Sequence, residues 1–579
     1  MNRKYSLTLL FVAGFLSGAL PLPAGSQPSG AIERRYNDQF LREEVKEAER
    51  NQRSLDEDII LDDNQQKDSP PVPVETKNDV SSIKDIVVSK TSSLSEIELK
   101  QILSNYIGKP NNEATRNEIA LRIEELLSSK KILAVVTTRE KAPASVEAFI
   151  TEGRLDKVIL NSNSSRVNSY WAKKIIANMI RPNSVIRIDK LESALIKLND
   201  LAGVRALGSL KPAVKSGYSN IILDLSTTKN NTTLLDLNNT LSQYTGRVQL
   251  EGVSSSASWL GRGDSWKVSY GLGGDETGYG ARRISGSYDI PLTPDGLKVV
   301  GSFGWSDYRL LQELMPDQLV GSTRSINIGF KQPLWRRPKR SLFGQVSYDQ
   351  YKSQDFVMGT EYSDRINHAT RLTLVSTTQD TFAGTGINSI FAIGSVGYLD
   401  KSSNSFEKAA DLAFANTAGS WGKIQLIASR VQTFKKSPYS LELFLQAQKS
   451  FNNLGAEEKF SIGWPNGVRA YPPGESSADS GTSIQITLRR PIKEYLTMKL
   501  FIDGAYVWRW TNTFSAAMDP NSFGLWGPGI GLDYGEYGKR QLSLNVGIPI
   551  GNNPNLINGF DADGKNASIR VWLNGRIWL

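Results

Sequence analysis

The chain has 579 residues, no cysteine and one histidine, and its formal net charge at pH 7 is +9. The lack of cysteine excludes disulfide bonds, thiolate metal sites and cysteine nucleophiles, and the single His368 argues against histidine metal clusters and Ser-His-Asp catalysis. The positive charge is spread along the chain without a basic block, which disfavours nucleic acid as a partner. A chain of this length is expected to form two to four domains.

The composition also indicates a class of fold. Beyond the N-terminus no segment approaches the ~20 consecutive apolar residues that a transmembrane helix requires. Yet 12 Trp, 20 Tyr and 20 Phe accompany 49 Gly in many short alternating segments. This combination fits a β-barrel with aromatic girdles and glycine at its turns. A soluble β-sandwich has a similar composition, so the order of the segments must decide.

Residues 1–26 have the pattern of a secretory signal. Arg3 and Lys4 supply the positive charge, 7–20 form the apolar part, and 24–26 provide small residues for cleavage. A membrane anchor is the alternative, but the apolar run is short and is interrupted by glycine. We therefore expect the mature chain to be exported.

Residues 31–52 predict a helix, because they lack proline and glycine and consist largely of strong helix formers. The apolar side chains form only a thin stripe, and such a helix either lies in water or bridges between hydrated walls. At ~1.5 Å per residue it would span ~33 Å, about the thickness of a bilayer core. A solvated N-terminal helix and a plug inside a hydrated pore both remain open. The polar, proline-containing residues 53–81 predict a linker that allows the helix to move.

Two consecutive segments, 82–153 and 154–227, share one predicted order of elements. The periodicity of each indicates a strand, two helices and two further strands. Two copies of the same order form an internal repeat. Each copy predicts a small α+β domain whose sheet edge can accept an extended segment of another chain.

Residues 228–579 consist of alternating segments of about ten residues, the pattern of outer-membrane strands. We predict about sixteen antiparallel strands, near positions 235, 250, 268, 284, 303, 327, 346, 370, 391, 426, 443, 486, 502, 530, 544 and 573. In one of them, Ile484, Ile486 and Leu488 alternate with polar side chains. An even number of strands with polar inner faces predicts a hydrated barrel. In a soluble sandwich, the alternative, these polar faces would have to face bulk water.

The final segment supports a barrel. Its apolar residues share one face as far as the last position, and they are Ile569, Val571, Leu573, Ile577 and Leu579. Outer-membrane barrels end in an alternating strand of this kind, which the barrel-assembly machinery reads during insertion. They usually end in Phe, whereas this chain ends in Leu579.

One short segment, 467–475, combines glycine and proline with a cation and predicts a shaped loop that carries Arg469. It follows a strand-like run at 458–464. Further on, alternation along 496–508 places the apolar side chains on one face and Asp503 on the other. If the apolar face meets lipid, Asp503 points into the lumen, where Arg469 can reach it in a charge-assisted pair. The alternative is an exposed Arg469 and an Asp503 that only lines the pore.

The same segments resemble motifs of a known family. Val468-Arg469-Ala470-Tyr471-Pro472 is similar to a V-R-G-[FY] loop motif, with Ala470 in place of Gly. Phe501-Ile502-Asp503-Gly504 resembles an F-x-D-x-G strand motif, and the segment 259–264 resembles an N-P-L-G-x-G-D turn without its Asn-Pro. Together with the order of signal, helix, linker, repeats and barrel, the whole chain resembles the TpsB transporters of two-partner secretion. This is the ShlB/FhaC/HecB-type haemolysin secretion/activation family, within the superfamily that joins POTRA domains to an outer-membrane barrel.

The resemblance implies a transmembrane β-barrel of about sixteen strands over 228–579, preceded by a plug helix at 31–52 and by POTRA domains at 82–153 and 154–227. It also implies that Arg469 contacts Asp503 on the inner wall. The implied pore-loop motif consists of Gly467, Val468, Arg469, Ala470, Tyr471 and Gly474. The implied wall partner of the loop consists of Phe501, Asp503 and Gly504.

The resemblance further implies a function. The protein would reside in the outer membrane of a Gram-negative bacterium, with its POTRA domains in the periplasm. These domains would bind the N-terminal secretion domain of a partner exoprotein, and the barrel would export that partner; whether it also activates the partner stays open. Besides the exoprotein, the expected partners are outer-membrane lipids and the barrel-assembly machinery. No cofactor, metal or enzymatic activity is expected.

Two alternatives remain. An outer-membrane assembly and insertion factor of the same superfamily would typically carry more POTRA repeats and no plug helix. A passive solute porin belongs to a different class and would not need the periplasmic repeats.

Overall fold

The computed structural model describes residues 42, 45, 46, 81–228, 231–274, 280–310, 319–515, 517–556 and 559–579. These residues form two compact units. One contains 81–228 together with 260–263, and the other contains the remaining described residues. The predicted signal at 1–26, most of the predicted helix at 31–52 and nearly all of the predicted linker lie outside the described residues.

The first α+β domain has three strands and two helices. They are β1 (Asp85–Val88), α1 (Glu96–Leu103), α2 (Glu113–Ser129), β2 (Ala134–Ala142) and β3 (Ser145–Glu152). The sheet order is β1-β3-β2, with β1 parallel and β2 antiparallel to the central strand. A capping box between Ser95 and Glu98 starts α1. Helix α2 buries Ile119, Ile123 and Leu127, spaced four apart on one face, against the sheet.

The second α+β domain repeats this arrangement. Its elements are β4 (Arg154–Asn163), α3 (Ser169–Met179), α4 (Ile188–Asn199), β5 (Val204–Pro212) and β6 (Tyr218–Thr227). The sheet order is β4-β6-β5, again with one parallel and one antiparallel pair. Ile176 and Leu191 from the two helices pack on Ile221 and Leu223 of the central strand. Each sheet therefore has one central strand and two edge strands.

Sixteen further strands close into a barrel. Its first eight strands are β7 (Asn231–Asn238), β8 (Gln249–Ala257), β9 (Ser265–Gly274), β10 (Gly280–Pro291), β11 (Lys298–Arg309), β12 (Leu319–Arg337), β13 (Arg340–Val357) and β14 (Thr360–Asp380). The other eight are β15 (Gly384–Asp400), β16 (Gly419–Phe434), β17 (Ser440–Ser450), β20 (Ser480–Lys493), β21 (Leu496–Trp508), β22 (Ser522–Glu536), β23 (Arg540–Gly547) and β24 (Arg570–Trp578). Two short strands, β18 (Phe460–Ser461) and β19 (Ser477–Ala478), pair with each other and are not part of the wall. All neighbours are antiparallel, and β24 pairs with β7 to close the ring. The predicted fold class is confirmed, and each predicted strand position falls within one wall strand.

Successive side chains along the wall strands alternate between the outer and the inner face of the barrel. On β12, Ile326, Ile328 and Phe330 point outward and are more than half exposed. On β21, Leu500 and Ile502 point outward, whereas Asp503 points inward and is fully buried. A barrel with an apolar outer face and a polar inner face is suited to a bilayer. No helix among the described residues is long and apolar enough to cross a membrane.

The strand predicted at 458–464 is wrong. A 3₁₀ turn occupies Ala456–Glu458, and only Phe460–Ser461 is extended, paired with β19 instead of with the wall. This segment belongs to residues 451–479, which we call the lumen loop because they connect β17 and β20 and fold into the barrel. Its alternating apolar side chains imitate a wall strand, but Phe460 and Ile462 pack in a small core with Val507 and Phe523 of the wall.

The loop between β15 and β16 contains an additional helix, α5 (Ser405–Ala413), that the sequence pattern did not predict. Asn404 caps it, since its side-chain oxygen accepts a hydrogen bond from the Glu407 backbone N–H at 3.0 Å. The helix is nine residues long, too short for a clear helical period.

Candidate functional site: the lumen loop and its anchors

The tip of the lumen loop is a tight reversal of the chain. Val468 N–H donates to the Ile462 carbonyl at 2.8 Å, and Tyr471 N–H donates back to the Val468 carbonyl at 3.1 Å. Gly467 is required here, because a Cβ at this position would lie 2.0 Å from the Ile462 carbonyl oxygen. The reversal directs the side chain of Arg469 toward the wall.

Arg469 and Asp503 form a buried bidentate ion pair. The Arg469 Nε and Nη2 atoms donate to the two Asp503 carboxylate oxygens at 2.8 and 2.7 Å, and the Arg469 backbone N–H donates to the same carboxylate at 2.9 Å. Nη2 also donates to Thr487 Oγ1 at 2.9 Å. The guanidinium carbon lies 3.6 Å from the centroid of the Phe501 ring, a cation–π contact. The structure thus brings together the predicted cation, carboxylate and aromatic residue.

The neighbouring wall strands are shaped to receive the loop tip. Trp572 of β24 donates from Nε1 to the Arg469 carbonyl at 2.6 Å. Gly547 of β23 faces the Arg469 backbone so closely that a Cβ there would lie 2.9 Å from its carbonyl carbon. Sequence reasoning missed both residues. Trp572 was detectable, since a period of two places it opposite the outward-facing Val571 and Leu573.

Ala470, which stands where the family motif has glycine, fits without strain. Its backbone is outside the positive-φ region, and its side chain is fully buried. The methyl group faces Gly527 of β22, where a Cβ would approach it to 2.3 Å. Space at Gly527 therefore accommodates the extra carbon at Ala470.

The other predicted site residues have different surroundings. Val468 and Tyr471 are buried in the small core of the lumen loop. Gly474 has φ +78° and open space around it, so it serves a left-handed turn. Gly504 lies on the outer face, opposite to Asp503, where a Cβ would meet the Trp526 ring at 2.2 Å. The predicted wall partner thus divides into an inner pair, Phe501 and Asp503, and an outer glycine.

Further ion pairs hold the base of the loop. Glu458 pairs with Arg371 of β14 at 2.6 Å and with Lys423 of β16 at 2.7 Å. Lys459 pairs with Asp479 at 2.6 Å within the loop itself. These side chains are mostly buried, so each charge depends on its partner. The sequence did not predict these contacts, because residues as far apart as 371 and 458 leave no local pattern.

Glu475 connects the lumen loop to the loop between β23 and β24. Its Oε2 accepts from the Ala562 backbone N–H at 2.9 Å, and its Oε1 accepts from the Asn553 amide. Burial, reinforced by repulsion from Asp561, raises the pKa of Glu475 to about 7. The connection therefore involves a carboxyl group that titrates near neutral pH.

The three described residues of the predicted N-terminal helix lie in helical conformation, and two of them contact the barrel interior. Arg42 donates to Gln485 Oε1 at 3.1 Å and to the Asn466 carbonyl at 2.6 Å, next to the loop tip. Its guanidinium carbon lies 4.4 Å from the Phe444 ring centroid. Val45 is 1 % exposed and packs against Val375, Phe391 and Ile427 of three wall strands. Part of this segment thus occupies the lumen beside the loop.

Comparisons with known proteins identify the family of the chain. The family model described as "Haemolysin secretion/activation protein ShlB/FhaC/HecB" matches residues 217–534, more than half of the chain. The heme/hemopexin transporter protein HuxB of Haemophilus influenzae strain 86-028NP is 23 % identical over 466 residues, covering 79 % of this chain and 81 % of that protein. The outer membrane transporter CdiB of Escherichia coli is 22 % identical over 509 residues, covering 83 % of this chain and 81 % of that protein.

Solved structures share the fold. CdiB from Escherichia coli superposes with a TM-score of 0.71 at 17 % identity, covering 94 % of this chain and 98 % of that chain. CdiB from Acinetobacter baumannii gives a TM-score of 0.62 at 16 % identity with the same coverage.

Proposed function

Because this chain belongs to the haemolysin secretion/activation protein family ShlB/FhaC/HecB, we propose that the lumen loop and the Arg469–Asp503 pair form the fixed part of a protein-conducting pore. The protein is an outer-membrane transporter of two-partner secretion, with its POTRA domains in the periplasm. The predicted function and location are confirmed at this level.

The single observation that carries the proposal is the contrast between two occupants of the lumen. The lumen loop is held by a bidentate buried pair, by the double ion pair of Glu458 and by contacts to several wall strands. The contacts of the described N-terminal residues include hydrogen bonds from Arg42 to Gln485 and Asn466 and the apolar packing of Val45. Breaking one buried ion pair costs roughly 3–5 kcal/mol. The lumen loop is also joined at both ends to wall strands, β17 and β20, whereas residues 42, 45 and 46 precede both α+β domains and adjoin no wall strand in sequence.

The N-terminal segment is therefore the part that leaves when a chain is exported, and the loop stays as a brace. An exported polypeptide cannot share the space that Val45 occupies between β14, β15 and β16. Departure of the segment removes the Arg42 donor from Gln485 Oε1 and from the Asn466 carbonyl, and donors of the passing chain can take its place. The polar inner wall would allow an extended polypeptide to exchange its hydrogen bonds with water and with wall side chains as it moves.

The two α+β domains would capture the partner before transport. Each has a three-stranded sheet with two edge strands, which can pair with an extended segment of another chain. We propose an exoprotein with an N-terminal secretion domain as that partner. We further propose that outer-membrane lipids surround the barrel and that the barrel-assembly machinery inserts it. In this role the protein acts as a transporter, without enzymatic activity or a cofactor of its own.

The test is the location of an exoprotein encoded beside this chain. Both proteins are produced in a Gram-negative host that lacks them, with and without the transporter, and the exoprotein is measured in the periplasm and the medium. Export only in the presence of the transporter supports the proposal. Equal export in both strains would contradict it.

A further inference from the structure

The outer wall carries a polar recess at one end of the barrel. Strands alternate in direction, and β7 begins four residues after β6 of the second α+β domain ends. The turn between β12 and β13 therefore lies at the end where β7 begins. Because the α+β domains are periplasmic, this end faces the periplasm.

The recess faces the bilayer and not the lumen. It has a volume of about 290 Å³, and its lining includes Trp335, Arg340, Leu342, Ser376, Thr378 and Asp380. Arg340 stands opposite Thr378, and Leu342 stands opposite Ser376, on adjacent strands. On β14, Ser376 and Thr378 continue the outward face of Leu372 and Leu374, whereas Val375, between Leu374 and Ser376, is buried in the lumen. The recess thus lies where the apolar belt meets the periplasmic rim.

Exposed cations surround the recess. Three adjacent turns are joined by hydrogen bonds, Gln379 N–H to the Lys339 carbonyl at 2.9 Å and Lys435 N–H to the Ala383 carbonyl at 3.1 Å. The exposed cations on these turns are Arg337, Lys339, Arg340, Lys435 and Lys436, and none of the five has an ion-pair partner within the described part of the chain.

The carboxylate of the recess, Asp380, is paired with a cation of the protein. Asp380 accepts from the Arg430 guanidinium at 2.7 and 3.0 Å and from the Asn388 amide at 2.9 Å. The Asn388 amide also donates to Thr378 Oγ1 at 3.3 Å, which leaves the Thr378 hydroxyl hydrogen available for another acceptor. The recess therefore presents cationic and hydroxyl donors without a competing free carboxylate.

We propose that this recess binds the headgroup of an anionic phospholipid in the periplasmic leaflet. Arg340 and the hydroxyl groups of Ser376 and Thr378 donate to the phosphate oxygens. The acyl chains run along Leu342 and Leu374, and Trp335 lies at the level of the interface, where barrels place their aromatic girdles. Charge complementarity and the position on the lipid-facing wall both select a membrane lipid. The inference depends on the membrane location of the barrel and not on protein export.

The test measures the lipids that the protein retains. Full-length protein is placed in nanodiscs with equal amounts of phosphatidylglycerol and phosphatidylethanolamine, released into the gas phase, and analysed by native mass spectrometry. The wild type should retain phosphatidylglycerol in preference to phosphatidylethanolamine. The double variant Lys339→Gln, Arg340→Gln should lower this ratio by at least about fivefold, the factor expected for losing one cation near an anionic lipid.

A matched control separates the recess from the general charge of the rim. Arg490 and Lys493 are also exposed and lie at the same end, beside the turn between β20 and β21. The double variant Arg490→Gln, Lys493→Gln should keep the wild-type ratio. No preference in the wild type, or an equal loss in both double variants, would overturn the proposal.

A second arm distinguishes a lipid from a soluble phosphate. Glycerophosphoglycerol, which has the headgroup without acyl chains, is offered to the detergent-solubilised wild type at the same concentration as phosphatidylglycerol. Retention of the acylated form alone supports a lipid site. Equal retention of both forms would contradict it.

Discussion

At the scale of single residues, Arg469 and Asp503 show how a buried charge is used to fix a position. Among the described residues, all three donor groups that reach Asp503 come from Arg469, two from the side chain and one from the backbone. A buried ion pair contributes little net stability, but it strongly penalises any arrangement that separates its members. The pair therefore specifies where the lumen loop sits more than it stabilises the barrel.

Arg469→Ala should release the loop tip and abolish export. The change leaves Asp503 buried without its partner, which costs roughly 3–5 kcal/mol of docked-loop stability. The wall strands do not depend on this side chain for their pairing, so the barrel should still insert and show heat-modifiable mobility on gels. Arg490→Ala, at an exposed position of the rim, is the control and should export normally. Full export by the Arg469 variant would show that the pair is dispensable.

A double-mutant cycle should show that the two residues act as a unit. Once either charge is removed, removal of the other also eliminates the buried unpaired group. Export and loop protection from protease in the Arg469→Ala, Asp503→Ala variant should therefore be no worse than in either single variant. Additive losses would mean that each residue acts through separate contacts.

The Glu475 carboxyl should make docking of the two loops depend on pH. Its pKa in the folded protein is about 7, above the ordinary value of 4.5, so the folded state favours the protonated form. Protonation of Glu475 therefore contributes to the free energy of unfolding. This contribution is fully present below pH 4.5, decreases as the pH rises, and is lost above about pH 7, a total change on the order of 3 kcal/mol. The nearby charges of Asp561 and Arg570 act in opposite directions on this group.

The protein is heated at pH 5 and at pH 8, and the measurement is the temperature at which the gel band of the folded barrel disappears. The wild type should lose it at a lower temperature at pH 8. Glu475→Gln, which keeps the size and remains neutral, should reduce this difference. An unchanged difference in the variant would assign the pH dependence to other groups.

At the scale of elements, the lumen loop shows where sequence patterns succeed and fail. The period of two along β21 was sufficient to place Asp503 inside, because a one-residue shift would have put Ile502 and Leu500 in the lumen. The same period misled at 458–464, since Phe460 and Ile462 alternate for packing inside the barrel instead of on its wall. Partners such as Glu458 and Arg371 are joined only by the closure of the barrel, which no local pattern records.

The N-terminal segment is predicted to limit the conductance of the pore. Val45→Glu would bury an unpaired carboxylate among Val375, Phe391 and Ile427, which should expel the segment from the lumen. Conductance in planar bilayers should rise toward that of a variant lacking 31–52. Val45→Ile, a conservative change, is the control. Unchanged conductance after deletion of 31–52 would contradict the assignment of this segment as a plug.

At the scale of the whole molecule, the architecture was more accessible from sequence than the site. Sixteen strands could be counted because each is long enough to show alternation and each is bounded by turn residues, as at 291–297. The two α+β domains were visible as a repeated order of elements. Helix α5 was missed because it is short and lies in a loop. The period of two places Trp572 on the inner face of β24, but no local pattern shows that it donates to the Arg469 carbonyl.

The central claim is that a partner protein passes through the lumen of this barrel. Ser389 points into the lumen and is fully buried, while its neighbour Ile390 points outward and is 45 % exposed. A photocrosslinking amino acid is placed at one or the other position in cells that export an exoprotein fused to a rapidly folding, export-stalling domain. The account predicts crosslinks to the stalled exoprotein from position 389 and none from position 390. No crosslink from position 389, or equal crosslinking from both positions, would contradict it.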